Sequence, residues 1–342
     1  MGIDTLSAAI RAVAAREGLS AAETRDAFGV IMRGEATPVQ IAALLVGLRV
    51  KGETADEVAG AADALRQAMV RIDVPDPDSL VDTCGTGGGG VGTFNISTAA
   101  GFVAAGAGVR IAKHGNRSFT SRCGSADVLE ALGIDIATPA SELPLVLERA
   151  GMMFMFAPSM HPAMRHVGPV RRELGIHTVM NIVGPLANPA GVRRQVVGVA
   201  DPGRLRLLAE AFGQLGAIRA LVAHGDPGLD EISPLGRTTV VELRDGTVRE
   251  WGLDPSAFGL EGGSAEDLAG ADPDQNARLI EAILGGGGPP AARNAVLLNA
   301  AAAIYVAADG SDYGDAVWQA TRSLESGAAH EVLTRMRPRP PA

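Results

Sequence analysis

One stretch of the chain puts bare backbone where chemistry on a phosphate would need it: Asp82-Thr83-Cys84-Gly85-Thr86-Gly87-Gly88-Gly89-Gly90-Val91-Gly92-Thr93-Phe94-Asn95-Ile96-Ser97-Thr98. Six of the eight positions from Gly85 to Gly92 are glycine. Backbone without side chains can approach a ligand closely and aim several N–H groups at it. Asn95, Ser97 and Thr98 add amide and hydroxyl groups where a helix should begin, and there the helix dipole favours an anion. Phosphate suits this arrangement best. Gly85, Gly87 and Gly90 match the dinucleotide pattern G-x-G-x-x-G, but that pattern also wants an acid about 20 residues on. The next expected strand, 109–112, runs instead into the basic sequence Lys113-His114-Gly115-Asn116-Arg117. The P-loop reading fails because Val91-Gly92 follows Gly90 where Lys-Ser/Thr would be required. A flexible linker is the plain alternative, and the position between a strand and a helix argues against it.

Three further clusters could do chemistry. Lys113-His114-Gly115-Asn116-Arg117, followed by Ser118, Thr120 and Ser121, falls at the C-terminal end of an expected strand, where open α/β sheets bind ligands. His161-Pro162-Ala163-Met164-Arg165-His166 leads to Arg171 and Arg172; His161 and Arg165 at i,i+4 would share a helical face, and Arg171 offers a planar fork suited to a carboxylate. Arg172 and Glu173 read as surface helix charges. The histidines 161, 166 and 177 lack an HExxH pattern, so zinc is not expected. The segment continues through Asn181-Ile182-Val183-Gly184-Pro185-Leu186-Ala187-Asn188-Pro189, a loop built for a fixed path. The last cluster, His224 to Ser233, carries adjacent Asp230 and Glu231. Hard carboxylate oxygens beside a phosphate site are how magnesium is usually held, with waters and substrate phosphates completing the octahedron.

The bulk properties narrow the class. The 342 residues suffice for one large domain or two unequal ones. Apolar residues make up 46% and aromatics 4%, so the core must be mostly Ala, Val, Leu and Ile. A net charge of −9 argues against a general nucleic-acid or anionic-membrane surface. A polyanionic small molecule would then need a local basic site or a metal. Cys84 and Cys123 have neither CxxC nor zinc spacing and read as buried small hydrophobes in a reducing, cytoplasmic setting. Neither a signal peptide nor a membrane span is expected.

Two textures must position these residues. Residues 1–72 read as a small helical domain. Ser20/Glu23, Thr37/Gln40 and Thr54/Glu57 have capping-box spacing, and Gly18, Gly34 and Gly52 fall at helix ends. Leu6, Ile10 and Val13 form one apolar stripe, and Ile41, Leu44, Leu45 and Leu48 another. Four short helices enclose little core, so they should pack on something else, a second subunit being one option. After a Pro-punctuated connector at 74–78, β-branched runs alternate with Ala-rich helical stretches. Strands are expected near 80–82, 109–112, 153–156, 195–198 and 220–223, with a hairpin of 239–243 and 248–251 turning at Asp245-Gly246. The fold class is therefore α/β: a small all-helical N-terminal domain, then, over 73–342, a mostly parallel sheet flanked by helices. The tail, from Arg335 or Met336 to residue 342, is expected to be disordered.

Taken together, these segments resemble anthranilate phosphoribosyltransferase of tryptophan biosynthesis. The resemblance runs from the N-terminal helices to about residue 335. It rests on Gly85-Thr86-Gly87-Gly88, Asn95-Ile96-Ser97-Thr98, Lys113-His114-Gly115-Asn116-Arg117, Gly124-Ser125-Ala126-Asp127, Gly184-Pro185-Leu186 with Asn188-Pro189, and Asp230-Glu231. It implies a homodimer whose helical domain is completed by about 165–185, and a cleft between the domains that takes 5-phosphoribosyl 1-diphosphate, anthranilate and magnesium. Gly85, Thr86, Gly87, Gly88 and Thr93, with Asn95, Ser97, Thr98, Lys113 and Ser125, would hold the diphosphate substrate. Gly85, Asn116, His161, Arg165 and Arg171 would face anthranilate. Ser97 with Glu231 would hold one magnesium, and Asp230 with Glu231 a second. Lys113 and Arg171 would carry catalysis. The family usually reads Gly-Thr-Gly-Gly-Asp-Gly; Gly89 stands here in place of that Asp, Gly92 replaces a usual polar residue, and His177 and Met180 replace a common Arg and Phe. The missing carboxylate bears on metal stoichiometry and substrate affinity rather than on reaction type. Two other readings share the architecture: a pyrimidine nucleoside phosphorylase, and a non-enzymatic nucleic-acid-binding relative, which should be basic.

Overall fold

Three of the first four helices start where a side chain caps them. The computed structural model, which describes residues 2–88, 91–118, 122–309 and 312–338, places α1 at Gly2–Ala14, α2 at Ala21–Met32, α3 at Pro38–Lys51 and α4 at Ala55–Gln67. Ser20, Thr37 and Thr54 each accept from the backbone of Glu23, Gln40 and Glu57, whose side chains return the bond. Each such cap satisfies two helix-end donors and contributes about 1 kcal/mol. Gly89, Gly90, Thr120, Ser121 and residues 339–342, about which the sequence raised expectations, lie outside the described residues.

The apolar stripes of these helices meet one another and then need more cover. Leu6, Val13, Ile41, Leu44 and Leu48 are buried in one cluster with Ala163, Val167, Val170, Val179, Met180 and Ile182. The segment 162–186 thus packs on the N-terminal helices. The same cluster continues into Val197, Val199, Val222 and the helix Leu205–Gln214, so the helical layer shares its core with one face of the sheet.

The sheet has seven strands: β1 (Leu80–Gly85), β2 (Arg110–Gly115), β3 (Met152–Phe156), β4 (Arg194–Gly198), β5 (Arg219–Gly225), β6 (Thr238–Arg244) and β7 (Thr247–Leu253). Their order is β3-β2-β1-β4-β5-β6-β7. The first five are parallel, and β6 and β7 are antiparallel. Every strand expected from the sequence is present. Asp245 (φ 50°) and Gly246 (φ 74°) both take the left-handed conformation that a tight hairpin turn demands. The other face is covered by Ala-rich helices, among them Ile96–Gly106 and Pro290–Ala307.

The strand order decides where a ligand can sit. From β1 the chain moves outward through β2 and β3, then returns to β4 on the other side. β1 and β4 therefore flank a topological switch point, and the crevice beyond their C-terminal ends is the natural ligand site. Gly85 and Gly198 end these two strands side by side.

Two expectations need correction. Strands expected to stop at 82 and 112 run on to Gly85 and Gly115, so Lys113 and His114 lie inside β2, buried, rather than just beyond its end. Pairing of β2 with β3, Lys113 opposite Phe154 and His114 opposite Met155, carries the strand into the basic run. Nor is the chain disordered from Arg335. The last helix, Ala328–Met336, buries Val332, Leu333 and Met336, and Arg337 donates to the Leu132 carbonyl and pairs with Glu281.

Candidate active site

The glycine run leaves β1 at Gly85, and the Thr86 N–H donates to the Gly198 carbonyl at 2.9 Å. Gly87 (φ 69°) and Gly88 (φ 81°) then take a conformation that only glycine adopts without strain. Further on, the chain makes a bridge of Thr93 to Ala269 and starts the helix Ile96–Gly106. Its N-terminus points from the same end of the sheet, as an anion site requires. Thr98 is buried there with no hydrogen-bond partner for its Oγ1 among the described residues. Asn95 behaves differently from the expectation that its amide serves the helix start. It makes no cap bond; Nδ2 donates to the Cys123 carbonyl (3.1 Å) and Oδ1 accepts from Asn276 (3.1 Å). This ties the helix start to the segment carrying Ser125.

Lys113 reaches under this helix. Its ammonium donates to the Thr83 carbonyl and, at 3.3 Å, to Ser97 Oγ. The side chain is 1% exposed, and burial pulls its pKa down against the opposing pull of Asp82. Asp82, also buried, accepts from Asn188 Nδ2 (2.8 Å) and the His114 N–H (3.2 Å). Burial raises its pKa to about 6, with Lys113 and Asn188 opposing. Sequence reasoning passed over Asp82: an acid inside a short strand reads as a strand end, and its partner Asn188 lies 106 residues away.

Asp230 and Glu231 meet the site from β5. A Cβ on Gly198 would lie 1.7 Å from the Asp230 carbonyl oxygen, and one on Gly225 2.5 Å from that of Glu231. The acidic turn thus lies against bare backbone, and Glu231 Oε1 accepts from the Ser97 N–H at 3.2 Å. Burial first, then the neighbouring Asp230 charge, pushes Glu231 to about 8; Asp230 is raised by burial. Two adjacent, half-buried carboxylates that resist ionisation are a donor set a divalent cation would relieve. Among the described residues no cluster of three His, Cys, Asp or Glu stands together, so substrate oxygens or waters would have to complete the shell.

The second half of the site is made of short turns. Gly115 allows Ser125 to come close: a Cβ there would sit 2.2 Å from Ser125 Oγ, which donates to the Asn116 carbonyl (3.3 Å). His161 Nε2 lies 3.1 Å from His114 Nε2, so one imidazole donates and the other accepts. Burial, then the His161 charge, holds His114 down at about 3, and burial holds His161 at about 4; both are neutral near pH 7. His114 was hidden inside a basic run whose composition signals charge rather than a buried ring.

The expected helical face of His161 and Arg165 does not form. His161 ends the short helix Ala157–Met160, and Pro162–His166 is a 3-10 turn with three residues per turn. His161 is buried, whereas Arg165 is exposed and leans on His166 at 3.3 Å. Arg171, in the helix Gly168–Leu174, is half-buried, which lowers its pKa, and its guanidinium makes no hydrogen bond or ion pair among the described residues. It is a partly desolvated fork that could pair with a carboxylate.

Two models of one family match the chain: "Glycosyl transferase family, a/b domain" over residues 77–330 and "Glycosyl transferase family, helical bundle domain" over 7–69. The anthranilate phosphoribosyltransferase of Rubrobacter xylanophilus is 51% identical over 330 residues, 96% of each chain. The chain belongs to the anthranilate phosphoribosyltransferase family. The Myxococcus xanthus member is 47% identical over 97% of this chain and 98% of its own. Among solved structures, the family member from Thermus thermophilus superposes with a TM-score of 0.90 at 43% identity, covering 96% of this chain and 98% of that one. The Saccharomyces cerevisiae member, solved in complex with PRPP and Mg, gives 0.88 at 30% identity over 98% and 97%.

Proposed function

We propose that this chain transfers the 5-phosphoribosyl group from 5-phosphoribosyl 1-diphosphate to the amino group of anthranilate, releasing diphosphate, as a step of tryptophan biosynthesis. The observation that carries the reading is the meeting, beyond β1 and β4, of a glycine turn, a helix N-terminus, a buried lysine and two raised carboxylates. In the reaction the bond from ribose C1 to the diphosphate oxygen breaks and a bond from C1 to the amine nitrogen forms. The leaving diphosphate gains negative charge, which the loop N–H groups and Lys113 would stabilise. Ser97, Asp230 and Glu231 would hold magnesium, which when bound neutralises diphosphate charge. The aniline nitrogen is already a free nucleophile, so alignment matters more than a strong base, and its proton leaves for solvent. Arg171 would pair with the anthranilate carboxylate, with Asn116 and His161 beside the ring.

The same reading takes the protein as a cytoplasmic homodimer. No helix among the described residues is long and apolar enough to cross a membrane. Val39 (78% exposed) and Val50 (66% exposed) lie with Ala43 and Val46 on the outer face of α3, an apolar stripe at 4-3-4 spacing that a second copy would cover.

The test is the loss of anthranilate fluorescence when the protein meets phosphoribosyl diphosphate and magnesium. Loss that requires all three components supports the reading. No loss, together with phosphorolysis of a pyrimidine nucleoside, would replace it with the phosphorylase reading.

A further inference from the structure

The helix Pro290–Ala307 is the most apolar long element of the main core, and it carries one anomaly. Of its thirteen buried residues, all are Ala, Val, Leu or Ile except Asn299, which is 3% exposed. An amide in such surroundings is costly unless its donors and acceptor are met. They are met at one place. Asn299 Oδ1 accepts from the Ile232 N–H at 3.0 Å, and Nδ2 donates to the Ile232 carbonyl at 2.9 Å and to Ala295, one turn back, at 2.9 Å. Ile232 lies outside every strand and helix, so Asn299 supplies the pairing that secondary structure would otherwise give. Ile232 directly follows Glu231, whose carboxylate accepts from the Ser97 N–H. The same turn also lies against Gly198 and Gly225, which have no side chains to grip it.

We propose that Asn299 is a positioning residue: from a distant helix it clamps the backbone next to Asp230 and Glu231 and so fixes the direction of the two carboxylates toward a divalent cation. This rests on the reading of Asp230 and Glu231 as cation ligands given above. Groups that orient ligands in this way commonly govern metal affinity by about ten- to a hundredfold. A purely structural asparagine would change melting temperature and leave metal affinity alone.

The test uses the full-length protein with phosphoribosyl diphosphate bound and Mn2+ as probe, read by the electron paramagnetic resonance signal of free Mn2+. Asn299→Leu keeps the number of heavy atoms and the branch point, is bulkier, and removes all three hydrogen bonds; Asn299→Ala is the second variant should leucine be refused. In a folded variant, Mn2+ binding should weaken roughly tenfold or more, while the anthranilate KM moves less than about twofold. Wild-type Mn2+ affinity in folded Asn299→Leu, beside weakened affinity in Glu231→Gln, overturns the role of Asn299 alone. Undiminished affinity in Glu231→Gln overturns the cation-ligand reading and this proposal with it. Hydrogen exchange on the wild type tests the clamp without any variant: the Ile232 amide should exchange on the order of a hundredfold or more slower than an open loop amide. Exchange at the open-loop rate overturns the clamp.

Discussion

The two halves of the site are built in different ways. On the side proposed for the diphosphate, Lys113 and Asp82 are carried by strands, Ser97 by the helix that follows β1 and Glu231 by the turn after β5, and hydrogen bonds join Ser97 to both Lys113 and Glu231, with Lys113 and Asp82 buried. On the side proposed for anthranilate, His161 and Arg165 sit at and in a 3-10 turn and Arg171 in a seven-residue helix, and the Arg171 fork is unpaired among the described residues. The groups proposed to face several phosphates are thus built on or against strands paired within the sheet. A flat acid needs one pairing group and a shaped wall, which short segments can supply.

The largest expected effect breaks the diphosphate side. Changing Asp230 and Glu231 together to Ala should lower kcat/KM by on the order of a thousandfold or more, because metal-borne charge stabilisation is worth several kcal/mol. Folding should survive, since two carboxylates that resist ionisation are being removed; thermal melts beside steady-state kinetics check both halves. Next in size, Lys113→Met should cost about a hundredfold in kcat/KM for phosphoribosyl diphosphate, in line with loss of a charge-assisted contact of about 2–3 kcal/mol. Unchanged kinetics would show that the ammonium serves only Thr83 and Ser97.

The buried histidine pair His114 and His161 should reveal itself through pH. His114 and His161 sit below the ordinary histidine value, so between about pH 4 and 6.5 the unfolded chain binds more protons than the fold. The stability they allow is present above about pH 6.5 and is lost as pH falls, at up to about 1.4 kcal/mol per pH unit for each proton. Denaturant melts from about pH 6.5 to about 4.5 should show the decline, and His161→Gln should flatten it. The smallest effect should come from Arg165→Ala. That side chain is exposed, so the anthranilate KM should rise no more than about twofold, as for a surface substitution of ~0.5 kcal/mol.

Much of this architecture was legible in the chain. Ser20, Thr37 and Thr54 mark helix starts because capping is local chemistry, and strands alternating with Ala-rich helices can be read as a parallel sheet. The glycine turn and Asp230-Glu231 could be picked out because six glycines in eight positions and adjacent acids after a strand are local patterns. What escaped was set by non-local contacts. Lys113 and His114 look like a basic turn until β3 pairs with them. Asp82 depends on Asn188, and Asn95 on Asn276, 181 residues away. The split of His161 from Arg165 follows from a 3-10 turn, beginning just after His161, whose sequence would fit an α-helix equally well on paper.

The most direct test of the two-sided account measures both KM values in one variant, Arg171→Ala. Losing a charge-assisted fork to a carboxylate should raise the anthranilate KM about ten- to a hundredfold and leave the phosphoribosyl diphosphate KM within about twofold. Equal rises in both would mean that Arg171 supports the site as a whole and that the division between the two sides is wrong.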